Sequence, residues 1–127
     1  MKWTSAVSEH RFLKYAVAEC AVEIKEALGD QSADLLVVFV SAHHAARSYE
    51  LPGLVRELAG DGVLIGCSGC GIIGAGREVE QSPGFAMAAA VLPDVTLSPF
   101  HIEDSDLPVG DAQPGDWQAI VGASTSD

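Results

Sequence analysis

Residues 63–80, "VLIGCSGCGIIGAGREVE", collect the side chains in this sequence best suited to chemistry. Cys67 and Cys70 offer thiols and Ser68 a hydroxyl. Gly66, Gly69, Gly71, Gly74 and Gly76 offer a backbone that a ligand can approach closely. Upstream, "SAHH" adds Ser41, His43 and His44. These residue types allow four chemistries: a phosphate cradle, a redox pair, a nucleophile's turn or a metal site. Each needs a particular structural context.

Gly69-x-Gly71-x-x-Gly74 has the spacing of a dinucleotide fingerprint, with Asp94 downstream as a ribose-binding acid. That fingerprint requires its last glycine to open a helix whose N-terminus holds the pyrophosphate. Here Gly74 is followed by "AGREVEQSPG", which has no core-facing helical pattern. No Gly-Lys-Ser/Thr follows, so a P-loop is excluded as well. Gly66-Cys67-Ser68-Gly69-Cys70 fails as a G-x-S-x-G elbow, because Cys70 stands where the last glycine belongs. Cys67-Ser68-Gly69-Cys70 is a C-x-x-C, but the helix N-terminus that activates such a thiol is missing. His43, His44, Cys67 and Cys70 follow two neighbouring strands, yet adjacent histidines point apart and the spacing is not that of zinc knuckles. The expectation is no catalytic residue, no metal and no cofactor.

What remains is a binding lip. In open α/β sheets, ligands sit outside the carboxyl ends of the strands. Ser41, His43 and His44 leave one strand end, and Gly66, Cys67, Ser68, Gly69 and Gly71 leave the next. Consecutive N–H groups there suit a small anion such as a carboxylate. The plain alternative is a tight turn with no ligand at all.

The elements that position these residues follow from periodicity. "MKWTSAVS" alternates weakly, like an edge strand. Phe12, Leu13, Ala16, Val17, Cys20, Ile24, Ala27 and Leu28 share one helical face, with Ser8 as N-cap and Gly29 as stop. Cys20 therefore packs in the core, and His10 is a solvated helix residue. "DLLVVFV" is a continuous apolar strand of the kind buried on both faces. "SAHHAARSYE" is a loop, "LPGLVRELAG" a short helix with Pro52 in its first turn, and "GVLIG" a second buried strand. Together they make one βαβ unit. "GREVEQ", "FAMAAAVL" and "VTLSPFHI" then follow as an antiparallel meander, with His101 half-buried on its last strand. The fold class is α/β: a mixed sheet with one βαβ unit followed by an antiparallel meander, helices packed on the sheet.

Residues 1–102 form the domain. From Glu103, "EDSDLPVGDAQPGD" carries five acids and no base, which marks a linker. "WQAIVG", cut off by "ASTSD", looks like the start of a further part. With 127 residues the chain has room for one domain with a core. Its net charge of -11, without any basic stripe, argues against nucleic acid and anionic membrane as partners. There is no signal-like h-region and no apolar run long enough to span a bilayer. Three cysteines outside a spaced framework suit a reducing, cytoplasmic location.

The features "VVFVSAHH", "LIGCSGCGIIGAGREVE", "VLPDV" and "PFH" together resemble the N-terminal part of the FIST family, over Trp3 to Ile102. The resemblance implies a sensory, small-ligand-binding domain of signal-transduction proteins, with amino acids as a ligand class. It implies as partners a C-terminal FIST half or a signalling output domain. It carries the family's Gly-Cys-Ser turn onto Gly66, Cys67 and Ser68, and its post-strand Ser and His onto Ser41 and His43. Cys70 departs from the small residue common at that position. Two other classes stay open: an enzyme with Cys67 as nucleophile or redox thiol and His43 or His44 as base, and a structural half-domain that needs its C-terminal partner. A half-domain of that kind exposes apolar surface and self-associates, so a homo-oligomer is one state open to it.

Overall fold

A computed structural model describes residues 1–108 and 110–122. The chain divides after Asp94 into two compact units. The first contains β1 (Lys2–Ser8), α1 (Leu13–Leu28), β2 (Leu35–Ser41), a 3-10 helix (Ala42–Glu50), α2 (Leu51–Ala59), β3 (Val63–Gly69), β4 (Gly71–Gly74), β5 (Arg77–Glu80) and β6 (Phe85–Val91). Four strands form one sheet in the order β1-β6-β2-β3, and β4 and β5 form a separate two-stranded ribbon. β2 and β3 are parallel, while β6 runs antiparallel to both β1 and β2. This is the expected mixed α/β sheet with its β2-α2-β3 unit.

The register sorts side chains onto two faces. Ala6, Met87 and Val38 share one row with Gly66, and Phe85 and Val40 share the next with Ser8 and Ser68. These rows meet Leu13, Ala16, Val17, Cys20, Ile24 and Leu28 of α1 and Leu51 and Val55 of α2 in one core. Both helices therefore cover the same face. Cys20 is buried, with its Sγ 3.7 Å from the Phe85 carbonyl oxygen. The opposite face carries the rows Trp3–Ala90–Leu35–Val63, Ser5–Ala88–Val37–Ile65 and Val7–Ala86–Phe39–Cys67. The β4–β5 ribbon covers only one end of it, where Ile72 and Val79 pack on Val7 and Ala86. Trp3, Phe39 and Ile65 stay exposed.

Several expectations are corrected by this arrangement. β2 is buried on the helix side but only partly on the other, and β3 is an exposed edge strand rather than a buried one. α1 and α2 both lie on the same face of the sheet. The antiparallel part is not a meander. β4 and β5 form a hairpin closed by Ala75 and Gly76, both at positive φ as a two-residue turn requires. β6 then inserts between β1 and β2. "VTLSPFHI" forms no strand, and β6, the neighbour a meander would give it, is already paired along both edges. His101 is accordingly exposed, 3.9 Å from Glu103.

Ser8 does not cap α1. It ends β1, its hydroxyl bonds Glu19, and Phe12 occupies the N-cap position without a side-chain bond. His10 lies ahead of the helix, its Nδ1 accepting the Phe12 N–H at 3.1 Å. "SAHHAARSYE" is not a loop but a nine-residue 3-10 helix after Ser41.

The second unit begins at Val95. It contains a short 3-10 turn (Asp104–Asp106) and α3 (Pro114–Val121). At the start of α3 the Gln113 N–H donates to Asp116 Oδ2 at 2.9 Å, which satisfies one free amide of the first turn. "WQAIVG" thus belongs to a helix that begins at Pro114. "ASTSD" lies outside the described residues.

Candidate functional site

Parallel pairing of β2 with β3 brings the two sequence segments together. Ser41 lies opposite Gly69, Val40 opposite Ser68, Phe39 opposite Cys67 and Val38 opposite Gly66. Beyond Ser41 the chain turns into the 3-10 helix, and beyond Gly69 it bends at Cys70 into β4. The two connections diverge from the carboxyl edge of the sheet, the geometry in which open α/β sheets take ligands.

The local form differs from a glycine-rich turn. Gly66, Cys67 and Ser68 are strand residues, and the connection is the single residue Cys70. The glycines at positive φ are Gly29, Gly60, Gly76 and Gly122, so Gly66, Gly69 and Gly71 form no left-handed anion nest. Gly66 has another reason to be glycine: a Cβ there would run into the carbonyl of Val38 on β2. Glycine is common in turns, and the sequence alone therefore suggests a turn here. Here glycine is needed for strands to approach closely.

Side-chain directions follow strand alternation. Ser68 points to the helix side and Cys67 to the open side beside Phe39. Both are exposed, as are Cys70 and Gly71, while Gly69 is half-buried. Ser41 is buried and fully engaged: its N–H donates to the Gly84 carbonyl at 2.8 Å, and its Oγ accepts the Gly84 N–H at 2.9 Å. That clamp fixes the start of β6 to the end of β2. His43 is exposed, whereas His44 is buried on the 3-10 helix, which touches α1, α2, β2 and β3.

Neither Cys67 nor Cys70 opens a helix, so neither gains the activation of a helix N-terminus. Among the described residues, no hydrogen bond joins Cys67 to His43 or His44, and no three His, Cys, Asp or Glu side chains converge as metal ligands. No described helix is long and apolar enough to cross a membrane. At the opposite end of the strands a hollow of about 450 Å³ opens between Ser32–Asp34 and Ala59–Val63. One carboxylate there is already committed, since Asp34 Oδ2 accepts the Leu92 N–H at 2.7 Å. Sequence reasoning did not anticipate either Gly84, the partner of Ser41, or Asp34. Neither residue carries a motif, and the contacts of both span distant segments.

The three thiols differ sharply. Burial pushes Cys20 up to about 12, with Glu23 and Glu19 adding to the effect. Cys67 and Cys70 are free and exposed. Because the thiolate is the reactive form, Ellman's reagent at mildly alkaline pH should titrate two thiols of the native chain quickly. The third should appear only on denaturation. Three fast thiols would show that α1 does not seal Cys20.

Fold and site together define a small α/β domain with an open carboxyl edge formed by two parallel strands and a 3-10 helix. The family model of the FIST N domain matches residues 34–124, and the chain belongs to that family. The FIST family is described as one of sensory small-ligand-binding domains. No curated protein and no solved structure gives a significant match.

Proposed function

We propose that this domain binds a small polar ligand of the amino-acid or carboxylate class at the carboxyl edge of β2 and β3, as the sensory part of a cytoplasmic signalling protein. One observation carries the reading: the parallel register that sets Ser41 beside Gly69 where the two chain paths separate. Ser68, Gly69 and Gly71 line the β3 side of that edge, and His43 and His44 follow Ser41 on the other. Exposed free Cys67 and Cys70 suit a reducing compartment. Signal output passes to a C-terminal FIST half or another output domain.

A thermal-shift screen against amino acids, small carboxylates, nucleotides and Zn²⁺ tests the reading. An amino acid or carboxylate at a hundredfold excess over Kd stabilises a one-site domain by about 2.7 kcal/mol. Gly69→Val is expected to abolish the shift, because its Cβ would sit 3.0 Å from the Gly71 carbonyl oxygen and fill the edge. Cys70→Ala should retain it. Stabilisation by Zn²⁺ alone would contradict the reading.

A second reading is favoured by the exposed Trp3, Phe39 and Ile65 on one sheet face. In this view the chain is a half-domain whose face is covered by the C-terminal FIST half, or in its absence by a second copy. Sedimentation of the purified chain tests it: a monomer at high micromolar concentration would count against self-association.

A further inference from the structure

His44 is the one buried side chain of the 3-10 helix Ala42–Glu50, 4% exposed. Its Nε2 has no hydrogen-bond partner. Ser8 and Ser41, also buried, are both hydrogen-bonded. An unpaired polar atom in a core calls for an explanation. The segment that carries it is also weakly held. 3-10 helices rarely exceed three or four residues because their hydrogen bonds are poorly aligned, and this one spans nine. Its N-terminus has no side-chain cap. Its far end runs directly into α2, whose Leu51 and Val55 are buried, and Arg47 donates to Glu50 at 2.8 and 3.0 Å on the surface. The side-chain anchor of this helix in the domain interior is the His44 imidazole.

The surroundings tolerate that imidazole only when it is neutral. Protonation would place a second N–H donor and a charge where Nε2 finds no acceptor. The titratable groups that act on it are His43, its neighbour on the same helix, and His10, in the β1–α1 connection. Both would repel a charged His44. No carboxylate of α1 or α2 contributes, and β2 and β3 contain none.

We infer that His44 is an acid-sensitive latch: neutral, it holds the 3-10 helix against the carboxyl edge of β2 and β3, and protonated, it releases that segment while α1 and the sheet stay folded. The inference goes beyond ligand binding and does not depend on it, since every readout below is made on the unliganded chain.

Burial, and after it His43 and His10, lowers the His44 pKa from its ordinary 6.5. The closed form therefore refuses a proton that the open form accepts. Closure is fully stable above the ordinary value of 6.5 and weakens as pH falls toward the lowered value. Within that window the opening constant rises about tenfold per pH unit.

The test is amide hydrogen exchange from pH 7.5 to pH 5, corrected for intrinsic rates, with the His44 imidazole followed in parallel by NMR. Residues 42–50 should exchange about tenfold faster per unit of acidification below the ordinary histidine pKa. Amides of β1 and β6 should hold, and the His44 midpoint should fall below that of an unstructured histidine peptide. His44→Leu, which cannot titrate, should flatten the profile. His10→Gln and His43→Gln should keep the latch and shift its midpoint upward. A flat wild-type profile, or loss of protection in β6 at the same pH, overturns the latch. So does a pH step that survives in His44→Leu. If His44→Leu does not fold, the wild-type imidazole titration decides, and a midpoint at or above that of the peptide refutes the proposal. A latch that fails while ligands still stabilise the chain leaves the binding reading intact.

Discussion

Gly66→Val should detach β3 from the sheet. Gly66 lies opposite Val38 in the parallel pair, and a Cβ at this position would overlap the Val38 carbonyl and approach its Cγ2 to 2.7 Å. The obstacle is mainly backbone, so no rotamer change relieves it. β3 must move, and β3 is an edge strand with only β2 to hold it. Inserting atoms into a well-packed contact costs about 1–3 kcal/mol, and a clash against backbone belongs at or above the upper end. For a domain of this size that lowers the melting temperature by roughly 4–8 °C per kcal/mol. Exchange protection across Val63–Gly69 should be lost while β1 and β6 keep theirs. The ligand response should vanish with it, because Ser68 and Gly69 lose their place beside Ser41. A variant that melts like wild type would mean that β3 does not pack on β2 in this register.

The second large effect is expected from Phe85→Ala. Phe85 is fully buried at the start of β6, in the row that joins Ser8, Val40 and Ser68 across the sheet. Removing a buried Phe side chain costs about 3–5 kcal/mol, through lost transfer energy and the cavity left behind. Small domains have only about 5–15 kcal/mol in total. A urea melt should show the midpoint falling by about a fifth or more with the slope unchanged. Phe39→Ala is the matched control, because Phe39 sits on the open face and is 39% exposed. It should cost much less. Equal losses for the two would indicate that the open face is covered in solution.

Much of the fold was legible because the sequence states it locally. The apolar stripe from Leu13 to Leu28 and the β2-α2-β3 order need only periodicity and the Pro52 start signal. Cys20 was assigned to the core for the same reason. The misses came where non-local pairing decided the outcome. "FAMAAAV" is not among them: its flanking alternation reads as a strand despite the alanines, and β1 and β2 pair with it along its length. The placement of β6 between β1 and β2 is what the meander expectation misses, and "VTLSPFHI" forms no strand. At the site the residues were identified but their setting was not. Glycine content does not distinguish a tight turn from a close strand contact, so Gly66, Cys67 and Ser68 read as a turn in the sequence and are strand in the fold. Burial of His44 could not be inferred either, since a polar histidine turns inward while Ala42, Ala45 and Ala46 stay exposed. Its placement comes from packing against the sheet and both helices.

The central claim about the molecule is that a small polar ligand contacts the carboxyl edge of β2 and β3. The most direct measurement is an amide chemical-shift titration of the uniformly ¹⁵N-labelled chain with the twenty amino acids and a set of small carboxylates. The account predicts saturable shifts from at least one of them, concentrated on Ser41–His44 and Ser68–Gly71. Shifts mapping instead to Ser32–Asp34 and Ala59–Val63, at the other end of the strands, would contradict it. No saturable shift from any of these compounds would contradict it as well.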